Sequence, residues 1–130
     1  MNHAVISKIV DAIAFAEGYY AAGSRPHRNN NPGDLERDLI SKGSGWDGPY
    51  VIYASPQDGW EALKRQVRLM FEGSHIYQPS MTIGEVARHY TATDPEIWAR
   101  NVAARLGVTV ETTLREILQR DEKPSPSGRG

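Results

Sequence analysis

Apolar residues within the first 17 positions recur at the spacing i, i+3, i+4, i+7, which places side chains on one face of a helix. These residues are Ile6, Ile9, Val10 and Ile13. The pattern predicts a helix over residues 4–17, and it places Glu17 one turn beyond the last apolar residue, on the same face. Gly18 follows at once and is expected to end the helix in a left-handed conformation.

Three later stretches carry the start and stop signals of helices. Each begins with a Ser, Thr or Asp that can cap the first turn, followed by Pro or by Glu three residues on. The predicted helices cover residues 55–71, 82–90 and 94–106, and a short last helix covers 113–119. Trp60 falls on the apolar face of the first of these helices, and we predict that it lies in the core rather than serving as a platform for a ligand.

The segment between the first two predicted helices carries strand signals. Candidate strands over residues 35–40 and 50–53 flank a glycine-rich turn over 43–47, and together they would form a hairpin. Upstream, Pro32 and Gly33 are typical of the centre of a type II turn.

This pattern predicts an α+β, mostly α-helical domain of about five helices with a small β hairpin. We expect this domain to cover residues 1–120. Residues 121–130 are rich in Pro, Ser and Gly, and we expect them to form a disordered tail.

The composition excludes several classes of protein. Hydrophobic residues make up 39% and charged residues 24% of the chain, which suits one soluble globular domain. The formal net charge of −1 argues against a nucleic-acid binder. There is no cysteine, and the four histidines lack metal-ligand spacing, so we expect neither a metal site nor another cofactor. No apolar run has the length of a membrane span.

Several short motifs, in this order, resemble phage and bacterial domains of the lysozyme superfamily. The motifs are Glu17-Gly18, Asn30-Asn31-Pro32-Gly33-Asp34-Leu35, Asp58-Gly59-Trp60-Glu61-Ala62-Leu63 and the stretch 90–108. That superfamily contains muramidases and lytic transglycosylases that cut peptidoglycan. The resemblance extends to about Leu118, and it implies a lysozyme-like fold whose hairpin lies beside a sugar cleft, with Glu17 as the catalytic acid.

The position of Glu17 also favours acid chemistry on physical grounds. A carboxyl on the apolar face of a helix C-terminus is half desolvated and faces the negative end of the helix dipole, and both effects raise its pKa. A carboxyl that stays protonated near neutral pH can protonate a glycosidic oxygen. The alternative is an exposed Glu at a frayed helix end.

A second carboxylate is less well defined by the sequence. Asp34 is the nearest candidate, and Asp38 and Asp47 lie where the predicted hairpin would bring them to the cleft. A carboxylate opposite Glu17 implies hydrolysis, which we favour, and its absence implies a lytic transglycosylase that forms a 1,6-anhydro product. Asp34 stands where the resembling domains often carry Asn.

Five further residues are candidates for substrate binding. Asn30 and Asn31 would hydrogen-bond sugar hydroxyls or the attacking water, or serve the turn locally. The resemblance implies a Tyr facing the catalytic Glu, for which Tyr90 is the candidate, although a core tyrosine fits the pattern too. Trp46 would stack on a sugar or fill a gap in the core. Arg28 would bind the carboxylate of muramic acid or remain a solvated arginine.

We therefore expect a monomeric enzyme that acts on peptidoglycan glycan strands and binds no nucleic acid. The N-terminus lacks a basic leader with a cleavage site, so we expect synthesis in the cytoplasm without a signal peptide. A phage particle, a holin or a secretion system would then deliver the protein to the wall. Two rivals remain: a non-catalytic glycan-binding or virion structural module, and a helix-turn-helix DNA-binding protein over residues 82–110, whose turn is too long for that motif.

Overall fold

The computed structural model describes residues 3–36, 43–73 and 76–122. Within these ranges the chain forms six helices and one two-stranded antiparallel sheet, so the predicted mostly α-helical α+β class is confirmed. The elements are α1 (His3–Ala16), α2 (Arg25–Arg28), β1 (Gly43–Asp47), β2 (Tyr50–Tyr53), α3 (Pro56–Glu72), α4 (Ile83–Tyr90), α5 (Pro95–Leu106) and α6 (Leu114–Glu122). None of the helices in these ranges combines the length and apolarity needed to cross a bilayer.

Helix α1 forms the centre of the fold. It packs against α3, α5 and α6, and α4 packs against α5. Because the apolar side chains of α1 contact helices that follow at three different points of the chain, they join the helices into one main core. A second, smaller cluster of Val51, Tyr53 and Ala62 packs the hairpin against α3. The buried residues of α1 are Val5, Ile6, Ile9, Val10, Ala12, Ile13 and Ala14.

The predicted starts of α3 and α4 are confirmed by their capping hydrogen bonds. The Ser55 hydroxyl accepts from the backbone N–H of Asp58 at 3.2 Å. At α4, the Thr82 hydroxyl accepts from the N–H of Glu85 at 3.1 Å, and the Glu85 carboxylate accepts from the N–H of Thr82 at 3.0 Å. Helix α3 ends at Gly73, whose φ of 78° is the left-handed conformation typical of helix stops.

The predicted hairpin exists, but its strands begin and end elsewhere. Residues 43–47, predicted as a turn, form strand β1. The turn is instead Gly48 and Pro49, with Asp47 paired to Tyr50 and a φ of 59° at Gly48. A glycine with positive φ at the first central position suits a two-residue hairpin loop, which explains why the chain reverses there. Residues 35 and 36 lie outside any strand, and 37–40 lie outside the described residues.

Two helix boundaries also differ from the prediction. Helix α2 lies within a predicted loop; the Ser24 hydroxyl caps it by accepting from the N–H of His27 at 3.3 Å. This helix explains why the structure has one helix more than the five predicted. Helix α6 continues through Glu122, two residues into the predicted tail. The rest of that tail, residues 123–130, lies outside the described part of the chain.

The turn at Pro32 and Gly33 forms, but the type II prediction is wrong. The N–H of Asp34 donates to the carbonyl of Asn31 at 2.9 Å, as a β-turn requires. A type II turn needs a positive φ at its third residue, whereas here the positive φ, 49°, belongs to Asp34 and not to Gly33. Gly33 is required for space: a Cβ there would lie 2.7 Å from the hydroxyl oxygen of Tyr90.

Gly59 allows a second close approach, between α3 and the loop after α2. A Cβ at Gly59 would lie 1.8 Å from the carbonyl oxygen of Asn30 and 2.8 Å from Cδ of Pro32. Real Cβ atoms do not approach a backbone oxygen this closely, so this helix turn and the loop can pack only through a glycine.

We expect Gly59→Ala to destabilise the protein by about 3 kcal/mol, because α3 and the loop must move apart. Gly84→Ala in α4 is the matched control: its Cβ would have no neighbour nearer than 3.6 Å, so no loss of stability is expected. Urea unfolding of both variants measures the difference. Equal stabilities for the two would contradict this account of Gly59.

Candidate active site

A cleft of about 450 Å³ opens where the end of α1, the loop after α2, the hairpin and the connection from α4 to α5 meet. This volume falls in the range of ligand sites, roughly 300–1,000 Å³. Of the residues that the structure describes, those that line the cleft are Ala16, Glu17, Arg25, Asp34, Glu36, Tyr50, Tyr90, Thr91, Ala92, Thr93, Asp94, Ile97 and Trp98.

Glu17 reaches this cleft because the helix stops directly after it. Gly18 has a φ of 81°, which confirms the predicted left-handed stop. The N–H of Gly18 donates to the carbonyl oxygen of Phe15 at 3.1 Å, and the N–H of Tyr19 donates to the carbonyl oxygen of Ala14 at 3.0 Å. These two bonds form a Schellman motif, which satisfies the last carbonyls of α1.

The carboxyl group of Glu17 is partly buried and hydrogen-bonded. The indole N–H of Trp98 in α5 donates to Glu17 Oε2 at 2.8 Å. Burial, opposed by the Trp98 hydrogen bond, is the main cause that raises the pKa of Glu17 to about 7; the charge of Asp34 adds to the rise and that of Arg25 opposes it. The predicted upward shift is confirmed, and this group can give or take a proton near neutral pH.

Tyr90 connects this carboxyl to the loop after α2. Its ring stacks on the ring of Trp98, with centroids 5.0 Å apart and an interplanar angle of 29°. Its hydroxyl donates to the carbonyl of Gly33 at 2.8 Å. Burial raises the pKa of Tyr90 well above its usual range, so the hydroxyl remains a donor. Tyr90 therefore combines a satisfied hydroxyl with a position in the cleft beside Glu17.

Asp34 lies in the cleft as an ion-paired carboxylate. Its side chain is 6% exposed, and the guanidinium of Arg25 donates to it from both Nε and Nη2. The guanidinium also lies 3.7 Å from the ring centroid of Tyr50, a cation–π contact. One arginine thus orients both carboxylate oxygens of Asp34, so this carboxylate is less free to reorient than that of a solvated Asp.

Asn30 and Asn31 lie behind the cleft wall and hold the loop to the hairpin. Asn31 is fully buried; its amide donates to the carbonyl of Val51 at 2.9 Å, and its Oδ1 accepts from the N–H of Leu35 at 2.9 Å. The Asn30 amide donates to the carbonyl of Tyr53 at 3.0 Å. Neither residue lines the cleft, and both amides serve the backbone.

Arg28, Trp46 and Asp47 also lie outside the cleft lining. Arg28 donates to the carbonyl of Gly23 at 2.8 Å and lies 3.6 Å from an Asp47 oxygen. Trp46 is 61% exposed and pairs with Val51. Because side chains alternate along a strand and Tyr50 lines the cleft, Trp46 faces the opposite side of the hairpin. Asp38 lies outside the described residues.

Several cleft residues were not identified from the sequence. Trp98 lies in the helix predicted over residues 94–106, but nothing in its spacing indicated a hydrogen bond to Glu17. Arg25 and Arg28 belong to one basic stretch of the sequence. The helix start at Ser24, Arg25 and Pro26 was the signal that could have shown that the two arginines take different positions. Asp94 was predicted as a helix cap; it has a φ of 47°, makes no capping bond and lines the cleft.

No family model matches the sequence, and no curated protein or solved structure matches it. Within residues 3–36, 43–73 and 76–122, no group of three or more His, Cys, Asp or Glu side chains is arranged to hold a metal ion.

We expect Glu17→Gln to be more stable than the wild type at alkaline pH. Below about pH 4.5 the carboxyl is protonated in both states, so the two proteins should have similar stabilities. As the pH rises from about 4.5 to about 7, the unfolded chain loses this proton while the folded protein keeps it, so the folded state is progressively disfavoured. The wild type should then lose about 2–3 kcal/mol relative to the variant.

Urea unfolding at pH 4, 6 and 8 measures this difference. Glu72→Gln, at an exposed position at the end of α3, controls for the loss of one surface carboxyl. A difference between wild type and Glu17→Gln that stays constant with pH would show that Glu17 titrates alike in the folded and unfolded chains.

Proposed function

We propose that this protein cleaves the glycan strand of peptidoglycan at the β-1,4 bond between N-acetylmuramic acid and N-acetylglucosamine, with Glu17 as the general acid. The observation that carries the proposal is the partly buried carboxyl of Glu17 in a cleft, with its pKa raised to about 7 and its Oε2 bound by Trp98. An elevated carboxyl pKa is what protonation of a glycosidic oxygen requires.

The resemblance to the lysozyme superfamily supports this proposal. Two of the motifs that carry it contain the glycines that allow close packing around the cleft wall, Gly33 against Tyr90 and Gly59 against Asn30. Aromatic side chains also line the cleft and offer flat apolar surfaces on which sugar rings can stack.

The first chemical step is the same for hydrolysis and for transglycosylation. Glu17 transfers its proton to the oxygen that joins the two sugars, the bond from C1 to that oxygen breaks, and C1 becomes positively charged. The Glu17 carboxylate that remains keeps its hydrogen bond from Trp98. Asp34 lies in the same cleft, but its ion pair with Arg25 reduces what its negative charge adds to the stabilisation of this positive charge.

In the hydrolytic route, a water molecule then attacks C1. The oxygen of the water bonds to C1, and its proton returns to Glu17, which restores the acid. One glycosidic bond and one water are consumed, and the product has a new reducing end.

The ion pair of Asp34 favours a second candidate, a lytic transglycosylase. Arg25 occupies both oxygens of Asp34, so this carboxylate is less available to attack C1 or to activate water. In that route the C6 hydroxyl of the same muramic acid attacks C1 and gives its proton to Glu17. The product is a 1,6-anhydro sugar, and no second carboxylate is needed.

The bacterial cell wall is the site of action on either route. A phage particle, a holin or a secretion system would bring the protein there, or the domain would act as part of a virion.

Digestion of purified peptidoglycan, with mass spectrometry of the soluble products, tests the proposal. We expect the wild type to release muropeptides and Glu17→Gln to be slower by about 100-fold or more. The rate should fall as the pH rises above 7, because Glu17 loses its proton. Reducing ends identify a hydrolase, and anhydro ends identify a transglycosylase.

Glu72→Gln is the matched control, since it removes a carboxylate from an exposed position outside the cleft. Release of products at equal rates by wild type and Glu17→Gln would remove Glu17 from the mechanism. No release by either protein, with equal binding to the wall, would favour a non-catalytic glycan-binding module.

A further inference from the structure

A second groove, of about 320 Å³, lies between α1 and α3, and among the described residues none lines both this groove and the cleft. Helix α1 contributes Ser7 and Asp11 to it, and α3 contributes Gln57 and Trp60. The groove is therefore built from two helices that pack against each other in the core, which makes its walls rigid.

Trp60 gives this groove an aromatic wall that continues across the surface. It was predicted as a core residue; it packs against the core but is only partly buried. Its ring centroid lies 5.2 Å from that of Tyr19 and 6.4 Å from that of Tyr20. Tyr20 is 51% exposed, and its hydroxyl donates to Asp11 at 2.6 Å. Three aromatic rings thus form one cluster at the edge of the groove.

The charged groups of the groove neutralise each other or a neighbour. Asp11 accepts from Arg105 Nε at 2.9 Å. Lys64 and Glu61, both in the lining, lie 3.4 Å apart. Because each charge already has a partner, the groove offers little attraction to a phosphate or to a strongly charged peptide. It suits an uncharged ligand with both apolar and polar surfaces.

We propose that this groove is a second binding site for the glycan strand, which takes N-acetylated sugar units away from the catalytic cleft; this inference rests on the proposed function. A pyranose ring has apolar C–H faces that stack on Trp60 and polar edges that need donors and acceptors. The hydroxyl of Ser7 and the amide of Gln57 lie in the lining and supply both.

A second site has a specific consequence for an enzyme that acts on an insoluble polymer. It holds the protein on the wall between cleavage events and adds to the affinity of the cleft. It adds nothing for fragments too short to reach both places. The groove should therefore influence action on intact wall and leave action on short soluble fragments unchanged.

Co-sedimentation with insoluble peptidoglycan tests the site, in the Glu17→Gln background so that the polymer stays intact. Ser7→Trp places a large side chain in the groove from an exposed position and removes no packing contact of the core. We expect it to weaken binding by about tenfold. Trp60→Phe, which keeps a ring against the core, should weaken binding as well. Gln119→Trp, at an exposed position of α6, is the matched control and should bind normally.

Activity with Glu17 intact gives the second readout. Ser7→Trp should digest insoluble peptidoglycan more slowly than wild type, and soluble fragments at the wild-type rate. Unchanged binding in both groove variants would overturn the proposal, as would a complete lack of binding by the Glu17→Gln protein. If the wild type cleaves no peptidoglycan and Ser7→Trp still weakens binding, the binding site in the groove is supported and the proposed enzymatic function fails.

Discussion

The partial burial of one carboxyl group is the constraint on which the site depends. Glu17 lies at the end of α1, where burial disfavours its ionised form and raises its pKa to about 7. The indole of Trp98, 81 positions away in the chain, opposes this with a hydrogen bond of 2.8 Å. The raised pKa requires α1 and α5 to pack in one register, because a Glu17 carboxyl displaced into water would return to its ordinary pKa.

Close packing around the turn at Gly33 holds in place the side chains that orient Glu17. Gly59 allows α3 to approach the loop after α2, and Gly33 leaves room for the hydroxyl of Tyr90. The ring of Tyr90 stacks on Trp98, which binds Glu17. A shift of the loop would therefore move the aromatic pair that orients the acid.

The sequence predicted what is determined locally. Capping residues and apolar periodicity located α1, α3, α4 and α5, because these signals act within a few residues. The roles of Gly33 and Asn31 were missed since they follow from neighbours distant in sequence: space beside Tyr90 in one case and the backbone of β2 in the other. The pairing of Arg25 with Asp34 likewise depends on the turn between them, whose geometry the Pro-Gly pair alone did not determine.

Direct titration of the Glu17 carboxyl is the most direct test of this account. Carbon-13 NMR of protein labelled at the glutamate side-chain carboxyl would follow it, and the signal missing in Glu17→Gln would assign it. We expect a midpoint near pH 7 in the wild type. Trp98→Phe should move the midpoint higher, because the indole hydrogen bond lowers this pKa. A midpoint near 4.5 that Trp98→Phe leaves unchanged would contradict the account, because Glu17 would then be an ordinary solvated carboxylate.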